Sequence, residues 1–194
     1  MTTHNPKASD ISYHTLSPAH FDGVIALGNR IQGEGYLSLP ALETMYKQSW
    51  HDDINASFVA MYNHAVVGFR LTFAHSQWQP DNWCSIDKWP VDPGRVCYFK
   101  CNTVDDKLQG CGIGSTLLGL AKEQAKAQGA QAGLAHIWLA SPGNSAYRYF
   151  SKNGGKLIAK HPGKWRHASI HEGYDCPVCP GYCECEGAEM LLTF

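Results

Sequence analysis

One short stretch, Gln109-Gly110-Cys111-Gly112-Ile113-Gly114-Ser115, constrains the chain more than any other. It joins a β-rich run, Arg95 to Val104, to a helical pattern from about Gly114 to Gln128 that stops at Gly129. Within that pattern Ile113, Leu117, Ala121 and Ala125 recur at helical spacing and predict a buried stripe. Glycines let successive backbone N–H groups converge with no Cβ in the way, and a helix N-terminus adds roughly half a positive charge. A strand, such a loop and a helix in that order make an anion site suited to a phosphate or pyrophosphate.

The flanking sequence supplies the rest of one α/β (α+β) unit. Ile11 to Ser17 predicts a strand, and Phe21, Val24, Ile25 and Leu27 predict a helix beginning near Pro18 and broken by Gly33-Glu34-Gly35. A second helix is predicted from Leu39 to Trp50, with Pro40 in its first turn. Ser57 to Tyr62 and Ala65 to Phe73 flank Asn63-His64 as a hairpin. Gln77 to Gly94 reads as a long loop whose Trp78, Trp83 and Trp89 cover a core edge or meet a ligand. A buried strand at Ala135 to Leu139, a helix from Asn144 to Asn153 and a strand pair, Lys156 to Lys160 with Glu189 to Phe194, complete the series. At 194 residues the whole chain, 1–194, is expected to be a single domain, with 161–187 a Cys/His-rich insertion between the last two strands.

The glycine loop admits three readings, each with its own demand on the residues around the glycines. A Walker A loop needs Lys before Ser115, and Gly114 stands there. A dinucleotide fingerprint needs glycine at 115 and a place early in a doubly wound sheet, neither of which holds. The third reading is a resemblance. Gln109-x-x-Gly112-x-Gly114 resembles the pyrophosphate loop of the GNAT superfamily of acyl-CoA-dependent N-acyltransferases. Further on, Gly143-Asn144-Ser145-Ala146-Tyr147-Arg148-Tyr149-Phe150-Ser151-Lys152-Asn153-Gly154-Gly155 resembles that family's second signature, an Asn, a small residue, an aromatic pair and Gly-Gly. The order of elements is similar to the whole GNAT fold apart from residues 161–187.

The resemblance implies a mixed central sheet whose fourth and fifth strands splay around acyl-CoA, with helices on both faces. It implies transfer of an acetyl group from acetyl-CoA to a primary amine, on a small molecule or peptide, by direct attack. Backbone at Asn102, Thr103 and Val104 would take the pantetheine; Gln109, Gly110, Cys111, Gly112, Ile113, Gly114 and Ser115 would hold the pyrophosphate; Asn144 and Phe150 would line the same cleft. Phe150 stands where many members carry the tyrosine that protonates the departing thiolate, so Tyr149 or Tyr147 is left as the candidate acid. The strand offers Tyr98, Lys100 and Asn102 on one face and no carboxylate. Glu34 is therefore the first candidate base, with Asp105 behind it. A silent acyl-CoA-binding domain, using its cysteines for sensing or protein interaction, is the rival reading.

Those cysteines are Cys176, Cys179, Cys183 and Cys185, a Cys-x₂-Cys-x₃-Cys-x-Cys run too crowded to be core packing. Soft ligands at this spacing suit a structural Zn²⁺ in a tetrahedron of thiolates, with regulatory thiols or another metal as alternatives and His161, His167 or His171 as substitutes for one sulfur. The segment Met1 to Lys7 has no apolar run, which predicts a cytoplasmic protein. A formal net charge of −1 and no block of Lys or Arg point to neither a nucleic acid nor a membrane as partner. A homodimer is compatible with the resemblance.

Overall fold

The computed structural model describes residues 10–194, so the N-terminal segment Met1 to Lys7 lies outside the described residues. Its strands are β1 (Ser12–Thr15), β2 (Trp50–His51), β3 (Ile54–Asn55), β4 (Phe58–Tyr62), β5 (Ala65–Phe73), β6 (Val96–Val104), β7 (Ala132–Trp138), β8 (Lys156–His161) and β9 (Gly187–Thr193). Its helices are α1 (Phe21–Gln32), α2 (Leu39–Gln48), α3 (Ile113–Ala127), α4 (Ser145–Lys152) and α5 (Arg166–His171). Seven strands form one sheet in the order β1-β4-β5-β6-β7-β9-β8, while β2 and β3 pair by themselves.

Local chemistry fixes most boundaries. Asn63 and His64 both take positive φ, 47° and 64°, the two-residue turn whose twist matches a hairpin. The Ser38 hydroxyl accepts from the Ala41 N–H and opens α2, with Pro40 in the first turn. Gly112, at φ 82°, caps α3, and Gly129, at φ 96°, turns the chain out of it. The short β2–β3 hairpin has no counterpart in the sequence pattern, because two-residue strands leave no periodicity to read.

Alternation along the strands sends side chains to two cores. On one face Phe58, Cys97, Phe99, Ala135, Met190 and Leu192 meet the α3 stripe, in which Ile113, Leu117, Ala121 and Ala125 are all buried as their spacing predicted. Fully burying a large aliphatic chain contributes roughly 1.5–3 kcal/mol, so this stripe holds α3 firmly on the sheet. On the opposite face α1 and α2 cover Val59, Phe69 and Leu71. Farther along that face Trp89, with Trp78 beside it, packs on Val96, Leu134 and Leu191.

One pairing divides the sheet. All neighbouring strands are antiparallel except β6 and β7, whose parallel ladder has only three rungs, Val96↔Ala132, Cys97↔Gly133 and Tyr98↔Leu134. Beyond Tyr98 the strands separate, and β6 continues to Val104 with no partner on that edge. Gly133 sits at the base of the split because the Phe99 ring fills its side-chain space: a Cβ there would lie 2.1 Å from the ring. The sheet is therefore mixed and splayed, as the resemblance implied.

A β-bulge in β6 corrects one expectation. Leu71 pairs with Cys101 and Thr72 with Phe99, so Lys100 is left without a partner. The extra residue resets the alternation: Tyr98 and Cys101 share the α1–α2 face, whereas Phe99 and Asn102 point toward α3. Tyr98, Lys100 and Asn102 do not lie on one face.

Candidate active site

The cleft between β6 and β7 opens toward the start of α3. The first bond closing that helix runs from Thr116 N–H to the Gly112 carbonyl at 3.0 Å, so the N–H groups of Ile113, Gly114 and Ser115 have no partner within the helix. Gly110 and Gly112 both have positive φ and nothing within 4 Å of where a Cβ would stand. Gln109, Gly110, Cys111 and Gly112 are exposed. The loop thus presents donors and open space to an incoming anion.

Two amides carry unmet acceptors: among the described residues the Asn102 and Asn144 Oδ1 atoms are buried without a hydrogen-bond donor, and the Asn102 amide stands beside Gly114. Buried polar groups normally find partners, so these two are suited to amide N–H groups of a bound chain. Thr103 is buried, and its hydroxyl accepts from Gln32 at 3.3 Å; Val104 closes the strand before Asp105 N–H donates to the Val67 carbonyl. Asp105 itself pairs with Arg30 at 2.7 Å.

The α4 aromatics face the core. Phe150 is 1% exposed and stands edge-on to Phe99, with centroids 6.0 Å apart. Tyr149 donates its hydroxyl proton to the Gly114 carbonyl at 2.7 Å and accepts from Arg70 Nη2 at 3.0 Å. Asn153 Nδ2 donates to the Ser115 hydroxyl at 3.2 Å. These bonds tie α4 to the first turn of α3, and the approach at Gly114 is close: a Cβ there would lie 3.3 Å from the Tyr149 ring.

On the opposite face a polar cluster sits where the strands part. Trp83's carbonyl accepts from His136 Nε2–H at 2.7 Å, which leaves Nδ1 as the imidazole's acceptor; Tyr98 O–H donates to it at 3.0 Å. Burial, with the nearby Lys164 cation adding to it, pushes the His136 pKa down to about 4, and burial raises that of Tyr98. The ring is thus neutral near pH 7. Neither His136 nor the Trp83 carbonyl stands out in the sequence, where the only signal is a histidine two residues before the end of a buried strand.

The loop holding Trp83 is pinned from β9. Glu189, fully buried, accepts from Ser85 N–H and Trp89 Nε1–H, both at 2.8 Å, and from His161 Nε2–H at 2.9 Å. Burial alone would raise its pKa, but these donors hold it below the usual carboxylate range. Trp78 stacks on Tyr98 at 4.9 Å and donates to the Val96 carbonyl. Core cover therefore describes Trp78 and Trp89, and Trp83 also reaches the polar cluster. Glu34 is exposed between Gly33 and Gly35 on the α1–α2 loop, and Tyr36 from that loop is exposed as well.

The sulfur atoms of Cys176, Cys179, Cys183 and Cys185 all lie within 4.8 Å of one another, with Cys176–Cys185 at 3.7 Å and Cys179–Cys185 at 3.5 Å. Trp138, Trp165 and Tyr174 pack against them. Backbone N–H groups of Val178 and Cys179 and neighbouring thiols outweigh burial and lower the Cys176 pKa. The three histidines lie elsewhere: His161 on Glu189, and His167 on Glu172 at 3.1 Å and against His171. Among the described residues the cluster that could hold a metal ion consists of the cysteines alone.

The sequence matches the family model for the acetyltransferase (GNAT) family over residues 25–154. No curated protein matches it. Among solved structures, an N-acetyltransferase from Staphylococcus aureus Mu50 has a TM-score of 0.68 at 17% identity, with 94% of this chain and 98% of that one covered. The NatC complex bound to Gag peptide and CoA gives 0.68 at 13% identity, covering 95% and 99%. The yncA protein from Salmonella typhimurium, solved with its cofactor acetyl-CoA, gives 0.65 at 15% identity, covering 95% and 94%. At such identities the likeness is one of fold.

Proposed function

Because the chain belongs to the GNAT family of acetyltransferases, we propose that it moves an acetyl group from acetyl-CoA to a primary amine by direct attack at the split between β6 and β7. The observation that carries this reading is the pairing of two half-sites across that split: open N–H donors at the start of α3 on one side and the Tyr98–His136 pair on the other. Relatives of the same fold are solved with acetyl-CoA or with CoA and a peptide, which supports both halves.

The α3 N-terminus and the Gly110–Gly112 loop fit a pyrophosphate, and the unpartnered Asn102 and Asn144 oxygens fit the amide groups of a pantetheine. Acetyl-CoA supplies an activated thioester carbonyl and a leaving group whose thiol is acidic enough for the thiolate to depart without a dedicated acid. As the new N–C bond forms, the amine's proton becomes acidic; Tyr98 takes it while passing its own to His136 Nδ1. Trp83's carbonyl keeps His136 in the tautomer this needs, and water then takes the proton away. Tyr98 and His136 replace Glu34 as the base in this reading. Tyr149, its hydroxyl already engaged at Gly114 and Arg70, holds α4 and α3 together rather than protonating the thiolate. Phe150 is a core wall beneath the cleft.

The four cysteines fit a structural Zn²⁺: a tetrahedron with Zn–S of about 2.3 Å has S···S edges of about 3.8 Å, close to the spacings found. When bound, the metal supplies cross-links to a segment, 162–186, that has little apolar core of its own.

Release of CoA thiol against a panel of primary amines, with acetylated product identified by mass, tests the reading. Acetyl-CoA binding without consumption of any amine would favour the silent acyl-CoA-binding domain instead.

A further inference from the structure

The polar cluster on the acceptor face contains a cation that the proton path does not use. Lys164 comes after β8, and its stem crosses β9 where residue 187 is glycine: a Cβ at Gly187 would lie 2.9 Å from Lys164 Cδ and 3.3 Å from its Cβ. Absence of a side chain at 187 is what lets the lysine lie inward. Its ammonium comes to rest over the Trp83 ring at 5.3 Å and near Trp165 at 6.0 Å. Trp83 is the residue whose carbonyl holds His136, so the cation sits beside the proton path, close enough for its charge to act on the imidazole.

No carboxylate lies within ion-pair distance of Lys164 among the described residues, and its N–H groups make no hydrogen bond there. Asp81 and Glu189 act on it only through the longer-range field, Asp81 being engaged by the Trp83 N–H at 2.9 Å and Glu189 by three donors. Lys100, left unpaired by the bulge in β6, is exposed and adds a second positive charge within range. A partly buried ammonium without a counter-charge is costly, and an incoming anion relieves that cost. A dicationic acceptor such as a polyamine would meet repulsion here.

We propose that Lys164 recognises the acceptor, and that the acceptor is a primary amine bearing a carboxylate close to it, either a free amino acid or a peptide with an acidic first residue. This deepens the acetyltransferase reading and rests on it for the amine. Neutralising Lys164 by the substrate's own carboxylate also removes a charge that opposes proton uptake by His136.

The test compares L-alanine with L-alaninamide, and an amidated peptide beginning with aspartate with one beginning with asparagine, in wild type, Lys164→Met and Lys164→Arg. Methionine keeps the stem over Gly187 and loses the charge; arginine keeps both. In wild type, kcat/KM should favour the carboxylate-bearing member of at least one pair by about tenfold or more. That preference should vanish in Lys164→Met through loss of the carboxylate substrate alone, and persist in Lys164→Arg. The pair that shows it identifies the source of the carboxylate. A tryptophan-fluorescence titration with the same four compounds reads binding without turnover. Carboxylate-selective binding that Lys164→Met abolishes, with no CoA released by any acceptor, would sink acetyl transfer and leave the anion site standing. Equal handling of acid and amide by wild type, in both turnover and binding, would overturn the inference, as would an equal loss for both in Lys164→Met.

Discussion

The two sides of the split sheet are built by different means. The α3 side comes from one continuous stretch, β6, a glycine loop and a helix start, so its function stems from backbone geometry that a few residues dictate locally. The acceptor side draws Tyr98 from β6, His136 from β7, Trp83 from a long loop, Glu189 from β9 and Lys164 from the segment after β8. A site made of free backbone N–H groups tolerates side-chain change outside its glycines. A site made of interlocked side chains does not. Substitutions should therefore act on coenzyme affinity on one side, and on turnover and acid stability on the other.

The largest effects should separate the two sides cleanly. His136→Gln, and independently Tyr98→Phe, should lower kcat by about 10²–10⁴-fold with acetyl-CoA affinity kept within a few-fold. Parallel loss of affinity, measured by calorimetry, would mean the sides are not independent. Gly112→Asp should weaken acetyl-CoA binding by about 100-fold or more, since it sets a carboxylate in the anion loop at φ 82°. Gly112→Asn, which tolerates that φ and carries no charge, should lose far less; equal losses would assign the effect to backbone strain alone.

A smaller effect concerns pH. His136 has a folded pKa of about 4, below the roughly 6.5 of an unfolded histidine, so the unfolded chain binds the extra proton first. Its contribution to stability is present above about pH 6.5 and is lost as pH falls toward 4. Between pH 7 and 5 it amounts to about 2 kcal/mol. Glu189, depressed below the usual carboxylate range, acts in the same direction but at lower pH. Urea midpoints at pH 7 and 5 should therefore fall further for wild type than for His136→Gln, and identical drops would remove the buried neutral imidazole from the account.

The cysteine segment offers a further contrast, because Trp165 packs on both the thiols and Gly187. Protein purified without added metal should carry about one equivalent of zinc. Its removal by a chelator should impair amine turnover before acetyl-CoA affinity; a fully folded, metal-free protein of unchanged activity would refute the structural-metal reading. Smallest of all, Tyr149→Phe removes two hydrogen bonds of a partly buried hydroxyl and should cost on the order of 1–3 kcal/mol in unfolding free energy, with a few-fold weaker acetyl-CoA binding.

The same contrast governs what could be read from residues alone. The hairpin at Asn63-His64, the α3 stripe and the glycine loop were legible because turn chemistry, helical spacing and conformational freedom act over a handful of neighbours. The acceptor side was not. A single bulged residue, Lys100, moved Asn102 to the other face from Tyr98, and strand alternation cannot foresee it. His136 is oriented by a carbonyl 53 residues away, and Glu189, unremarkable in a final strand, holds a loop about a hundred residues distant. The four cysteines fall between these cases: their spacing announced a cluster, and their distances gave it a shape that fits a metal.

The most direct test of the central claim is CoA-thiol release from acetyl-CoA in the presence of L-alanine and of the aspartate-initiated peptide, monitored together with the mass of the amine. Thiol should be released only when an acceptor is present, the amine should become heavier by one acetyl group, and both should be lost in His136→Gln while acetyl-CoA still binds. Release that ignores the amine, or an acetylated amine formed equally well by His136→Gln, would contradict that claim.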